Sequence, residues 1–172
     1  MLFAFDCDGV LVDSEIIASE VDADLLTKIG FPITAQEVSR RFAGLTAEAI
    51  FSLVEADLGH PVPEEFHKEQ RAELDRRLAK ELKGIPGVSE MLDRIDGARC
   101  VCSNSTSERL KSSLTTAGVY DRFKPYIFSA VEVGTKVPKP DPNVYAFAAK
   151  EFGVSPREML VVEDTVFGVT AA

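Results

Sequence analysis

The side chains best suited to chemistry stand at four places: Asp6 and Asp8 in DCDGVLVDS, Ser103 and Asn104 in CSNST, Lys136 and Lys139 in TKVPKPDPNVY, and Glu163 with Asp164 in VVEDTVFG. Carboxylates drawn together repel, and either a raised pKa or a cation relieves the repulsion. Mg²⁺ commonly takes one or two carboxylates along with waters and a substrate phosphate, which makes Asp6 and Asp164 candidate metal ligands. Gly9 lets the first acidic loop turn tightly or lets backbone approach a ligand. In Ser103–Asn104–Ser105–Thr106, hydroxyls and the free N–H groups of a helix start could hold a phosphate; either Ser105 or Thr106 is expected to be the helix N-cap. A lysine before a proline-stiffened turn can place a cation on a phosphate or a carboxylate, and a solvated lysine is the plain alternative. Asp13 and Ser14 read as the N-cap of the next helix, not as site residues.

These groups need a scaffold that makes distant segments meet. LFAFD at 2–6 reads as a buried strand that stops at an acid. From Ser14 the period becomes helical, with Ile17, Val21, Leu25 and Ile29 recurring before Gly30. Three further helices are predicted over roughly 34–43, 46–58 and 63–83. After GIPGVS the pattern alternates: helix 88–96, strand 99–103, helix 106–117, strand 126–129, helix 142–152, strand 159–163. That alternation predicts an α/β fold, a doubly wound and mainly parallel sheet built from 1–14 and 84–172, with an all-helical cap inserted at 15–83. In such sheets ligands bind beyond the carboxyl ends of the strands, where three of the four polar segments are predicted to fall.

Composition narrows the classes. A 172-residue chain that is 45% hydrophobic is expected to be one soluble domain, or two small parts sharing a core. No apolar run is long enough to span a bilayer and no signal-peptide pattern opens the chain, so a cytoplasmic protein is expected. The net charge of −9 argues against nucleic-acid or anionic-membrane partners, and a monomer is the default expectation. Cys7, Cys100 and Cys102 form no disulfide framework and are expected to be reduced and buried, with Cys100 and Cys102 on opposite sheet faces.

With these segments in view, the chain resembles the haloacid dehalogenase superfamily, in the helical-cap branch that includes β-phosphoglucomutase and small sugar-phosphate phosphatases. DCDGVLVDS resembles the family's D-x-D-G-x-x-x-D-S, CSN its strand-end Ser/Thr-Asn, KPDPNVY its lysine turn, and VVEDTVFGVTAA its acidic pair. The four occur in order over essentially the whole chain.

The resemblance implies a Mg²⁺-dependent phosphatase acting on a small phosphorylated metabolite, a sugar or sugar-acid phosphate, through an aspartyl-phosphate. Asp6 would be the nucleophile and Asp8 the general acid and base, while Ser103 and Lys139 would hold the phosphoryl oxygens, with Lys136 as fallback. The Asp6 carboxylate, the Asp8 main-chain carbonyl and Asp164 would hold Mg²⁺, with Glu163 supporting directly or through water. Asn104 and the cap's Gly44, Arg41 and Thr46 would contact substrate, with Arg40 and Glu48 nearby. Such caps close over the site and exclude water. Relatives continue through the helix after the fourth motif and at least one further strand, so the core is expected to be incomplete on that side. A β-phosphoglucomutase-like phosphomutase is the alternative activity. A non-catalytic phospho-ligand binder or scaffold is a lesser one, and a receiver domain lesser still.

Overall fold

Short apolar strands suit a parallel sheet whose faces are packed by helices; at the sheet edge Leu160 stays 42% exposed. A computed structural model describes residues 1–42 and 47–172. Four parallel strands, β1 (Leu2–Phe5), β2 (Ala98–Ser103), β3 (Ile127–Ser129) and β4 (Met159–Val162), lie in the order β3-β2-β1-β4. Leu2 is in register with Ala98 on one side and Met159 on the other, and Ser103 with Ser129. β1 is thus central, and its carboxyl end emerges between those of β2 and β4. It ends one residue before the expected acid, although the Asp6 N–H still donates to the Val162 carbonyl at 3.0 Å.

The helices are α1 (Glu15–Lys28), α2 (Ala35–Phe42), α3 (Ala47–Leu58), α4 (Glu65–Glu81), α5 (Val88–Arg94), α6 (Ser107–Thr116), α7 (Asn143–Phe152) and α8 (Val166–Ala171). None is long and apolar enough to cross a membrane. The chain divides into two compact units, Met1–Asp13 with Leu82–Ala172, and Ser14–Glu81. In the first unit the departing and returning segments are stitched together: Asp13 N–H donates to Lys83 O at 2.9 Å and Ile85 N–H to Leu11 O at 3.0 Å.

One side of the sheet packs Leu2, Ala4, Cys100, Cys102 and Phe128 against Val144, Tyr145 and Ala148 of α7. Elsewhere in this core Phe5 meets Phe123 edge-to-face at 5.7 Å, with both rings fully buried. Burying each such side chain contributes about 1.5–3 kcal/mol. The cysteine expectation was wrong: Cys100 and Cys102 share a face, with their sulfurs 3.8 Å apart. Strand side chains alternate with period two, so residues two apart point the same way. All three cysteines are free and buried.

In the helical unit Ile17, Val21, Leu25 and Leu26 of α1 are buried, as the four-residue spacing requires. Ser14 occupies the N-cap position of α1 without a side-chain capping bond. Its backbone is already helical, at φ −86° and ψ −20°, whereas a cap hydroxyl works from extended backbone.

Candidate active site

Beyond β1 the chain folds back at once. The Cys7 carbonyl accepts from Leu11 and Val12 N–H at 2.9 and 3.1 Å, and Gly9 N–H donates to Val12 O at 2.9 Å. Gly9 sits at φ +76°, and a Cβ there would lie 2.1 Å from Asp164 Oδ2. The glycine is needed twice, for the left-handed turn and for the acid pressed against it.

The loop after β2 joins two of the other segments. Ser103 is buried and its Oγ accepts from Ser105 N–H at 3.1 Å; Ser105 Oγ donates to Asp8 Oδ2 at 3.0 Å. Thr106, not Ser105, is the N-cap of α6. Asn104 clasps the lysine segment, its Oδ1 accepting from Lys139 N–H at 2.8 Å and its Nδ2 donating to Lys139 O at 3.3 Å.

Lys139 is the hub. Its ammonium donates to Asp6 Oδ1 at 2.7 Å and to Glu163 Oε1, and lies 5.1 Å from the centre of the Tyr145 ring. The side chains of Lys139, Asp6 and Glu163 are 4%, 10% and 3% exposed, so this triad is almost wholly out of water. Lys136 is exposed, at φ +62°. The lysine turn is held from within: Asn143 Nδ2 donates to the carbonyls of Ala130, Val133 and Val137, and its Oδ1 accepts from Thr135 N–H at 2.8 Å.

At the end of β4, Glu163 is saturated with donors. Oε1 takes Lys139 and, at 3.2 Å, the Tyr145 hydroxyl; Oε2 takes Asp164 N–H, Thr165 N–H and Thr165 Oγ1 at 3.0–3.1 Å. A Cβ on Gly168 would overlap that carboxyl group, so α8 can approach only as glycine.

The electrostatics divide the acids. Burial pushes Asp6 up to about 7, against the pull of Lys139. Burial also raises Glu163, but Lys139 and the Thr165 amide outweigh it and hold that carboxyl below its ordinary value. Burial, with Glu163 and Asp8 nearby, raises Asp164. Oxygens of Asp6, Glu163 and Asp164 lie within 4.8 Å of one another, a hard-oxygen set that suits a divalent ion such as Mg²⁺.

Asp6, Asp8, Asn104, Lys139, Glu163 and Asp164 are therefore linked at one edge of the sheet, Asp8 through Ser105. Within the helical unit, Arg41 lies over the rings of Phe31 and Phe42 at 5.4 and 5.6 Å and pairs with Asp57 at 3.4 Å. Gly44, Thr46 and the Glu48 side chain lie outside the described residues. Sequence reasoning missed Asn143, Tyr145 and Gly168 as parts of the site. The signal for Gly168 was an isolated glycine within an apolar helical run.

A discontinuous parallel core with three strand-end loops and a lysine turn converging on a buried Lys–carboxylate triad defines a hydrolase of one fold family. The family model for haloacid dehalogenase-like hydrolases matches residues 1–172, and the chain belongs to that family. It is 32% identical over 165 residues to the 6-phosphogluconate phosphatase of Escherichia coli, covering 95% of this chain and 74% of that one. It is also 32% identical to a phosphorylated carbohydrates phosphatase of Thermotoga maritima, covering 98% and 78% of the two chains. A solved haloacid dehalogenase-like protein of unknown function from Agrobacterium tumefaciens superposes with a TM-score of 0.91 at 44% identity, over 99% of this chain and 77% of that one.

Proposed function

We propose that the chain is a Mg²⁺-dependent phosphatase of a small phosphorylated carbohydrate, a sugar or sugar-acid phosphate, working through a phosphorylated Asp6. The observation that carries this reading is the buried carboxylate of Asp6 at the end of the central strand, held at 2.7 Å by Lys139 beside two further acids. The phosphatases of carbohydrate phosphates among its relatives support the substrate class.

Asp6 attacks phosphorus, and the ester oxygen leaves with a proton from Asp8. The Asp8 carboxylate then takes a proton from water as that water attacks the aspartyl-phosphate, releasing inorganic phosphate and restoring Asp6. Two anions repel on approach, and Lys139 offsets part of that repulsion from a dry position where its charge is little screened. Ser103, at the mouth of β2, contributes a hydroxyl to the phosphoryl oxygens. Asn104 acts on Lys139 through both backbone hydrogen bonds, as a positioning residue.

Mg²⁺ would be held by Asp6, Asp164 and the Asp8 main-chain carbonyl, where it supplies positive charge to the transferring group. Phosphate release from 6-phosphogluconate and from a panel of sugar phosphates, with Mg²⁺ or with EDTA, tests the reading. Release is expected with Mg²⁺ alone and is abolished in Asp6→Asn. Full turnover by that variant would remove Asp6 as nucleophile, and release of a rearranged sugar phosphate in place of inorganic phosphate would make the chain a mutase.

A further inference from the structure

The helical unit contains a cavity of about 80 Å³ framed by α1, α3 and α4. Leu26, Ile50, Phe51 and Phe66 give it an apolar lining, and Asp22, His67 and Gln70 supply its polar groups. Phe51 meets Phe66 edge-to-face at 5.6 Å and the exposed His67 ring at 4.5 Å, so the aromatic wall is locked. Asp22 is unusual here. Among the described residues no cation pairs with it; Gln70 Nε2 donates to its Oδ1 at 2.5 Å, and one amide donor uses only part of a carboxylate's acceptor capacity. Burial pushes its carboxyl above the ordinary value, opposed only by that hydrogen bond.

A partly buried carboxylate among aromatic faces matches one ligand chemistry above others. An anion would meet like charge, and a neutral polyol would leave both the apolar lining and the acid's charge unmatched. An ammonium on an apolar body satisfies both, because aromatic faces and carboxylates each attract cations. We propose that this cavity binds a small organic amine, its ammonium on Asp22 and its apolar body against Leu26, Ile50, Phe51 and Phe66. The site goes beyond the phosphatase reading and does not rest on it. The amine has two possible sources, a free molecule or an amino group carried by a phosphorylated substrate.

The test titrates the full 172-residue chain with benzylamine and with its neutral counterpart benzyl alcohol, by calorimetry and amide NMR. Benzylamine should bind at one site, shifting amides of α1, α3 and α4, and benzyl alcohol should bind about tenfold more weakly or worse. Asp22→Asn should erase the preference for the amine, and Ile50→Trp, which fills the cavity, should abolish binding of both. Equal affinity for amine and alcohol, an unchanged preference in Asp22→Asn, or shifts confined to other elements would overturn the proposal. If Asp22→Asn fails to fold, the amine–alcohol ratio and Ile50→Trp decide it. A rise in KM for a phosphate ester in the presence of benzylamine assigns the amine to the substrate, and an unchanged KM assigns it to a separate ligand. Both results support the site, and the binding experiments stand even if no phosphatase activity is found.

Discussion

Asp6→Asn should do more than stop turnover: without Mg²⁺ it should make the fold more stable above neutral pH. Asp6 is 7% exposed, and its carboxyl rises from 3.8 to about 7 because burial outweighs the attraction of Lys139. A raised folded pKa means that the folded state holds this proton more tightly than the unfolded state. The favourable contribution is complete below about pH 3.8 and is lost as pH rises through about 7. At pH 8 the ionised group therefore costs roughly 4 kcal/mol relative to the unfolded chain, and at pH 5 a little under 2. Asparagine carries no charge to bury and keeps an oxygen for Lys139, while desolvating its amide costs about 1–3 kcal/mol. The variant should thus gain about 1–3 kcal/mol at pH 8, and its advantage should shrink by roughly 2–3 kcal/mol on going to pH 5. Urea unfolding in EDTA at the two pH values measures both quantities. An Asn variant less stable than the parent at pH 8, or a difference that ignores pH, would refute the reasoning.

Lys139→Met keeps most of the stem but leaves two buried carboxylates without their cation. Removing one member of such a cluster costs about 3–5 kcal/mol, so thermal unfolding at pH 7.5 should fall by roughly 6–20 °C. A change under about 2 °C would mean that the triad is not held by this charge. Gly9→Ala places a Cβ 2.1 Å from Asp164 Oδ2 at φ +76°. Mg²⁺ affinity by calorimetry should drop about tenfold or more as Asp164 is displaced, and an unchanged affinity would take Asp164 out of the metal site.

The fold was legible because its periods are strong. Ile17, Val21 and Leu25 mark α1 and are all buried, and β1 and β4 read as unbroken apolar runs. The acids were legible because two strands, β1 and β4, each run straight into a pair of carboxylates. What the sequence concealed was the network between segments. Nothing in the string CSNST says that Ser105 reaches Asp8, or that Asn104 grips the backbone of Lys139 thirty-five positions away. Asn143 and Tyr145 lie inside the quoted lysine motif, yet their work is visible only once the turn has closed on them.

The saturation of Glu163 bears on its role within this proposal. Its oxygens lie close enough to Asp6 and Asp164 to share an ion. Five donors already converge on them, however: Lys139, Tyr145, the Asp164 and Thr165 amides, and the Thr165 hydroxyl. A carboxylate offers about four lone-pair sites, so direct ligation would have to displace one of these bonds. Glu163 is also the acid whose surroundings hold its proton off, whereas those of Asp6 and Asp164 favour the proton and would gain from a cation in its place. We infer that Asp6 and Asp164 are the side-chain ligands, and that Glu163 is a fixed anion. It holds the Lys139 ammonium beside Asp6, and it reaches the metal through water.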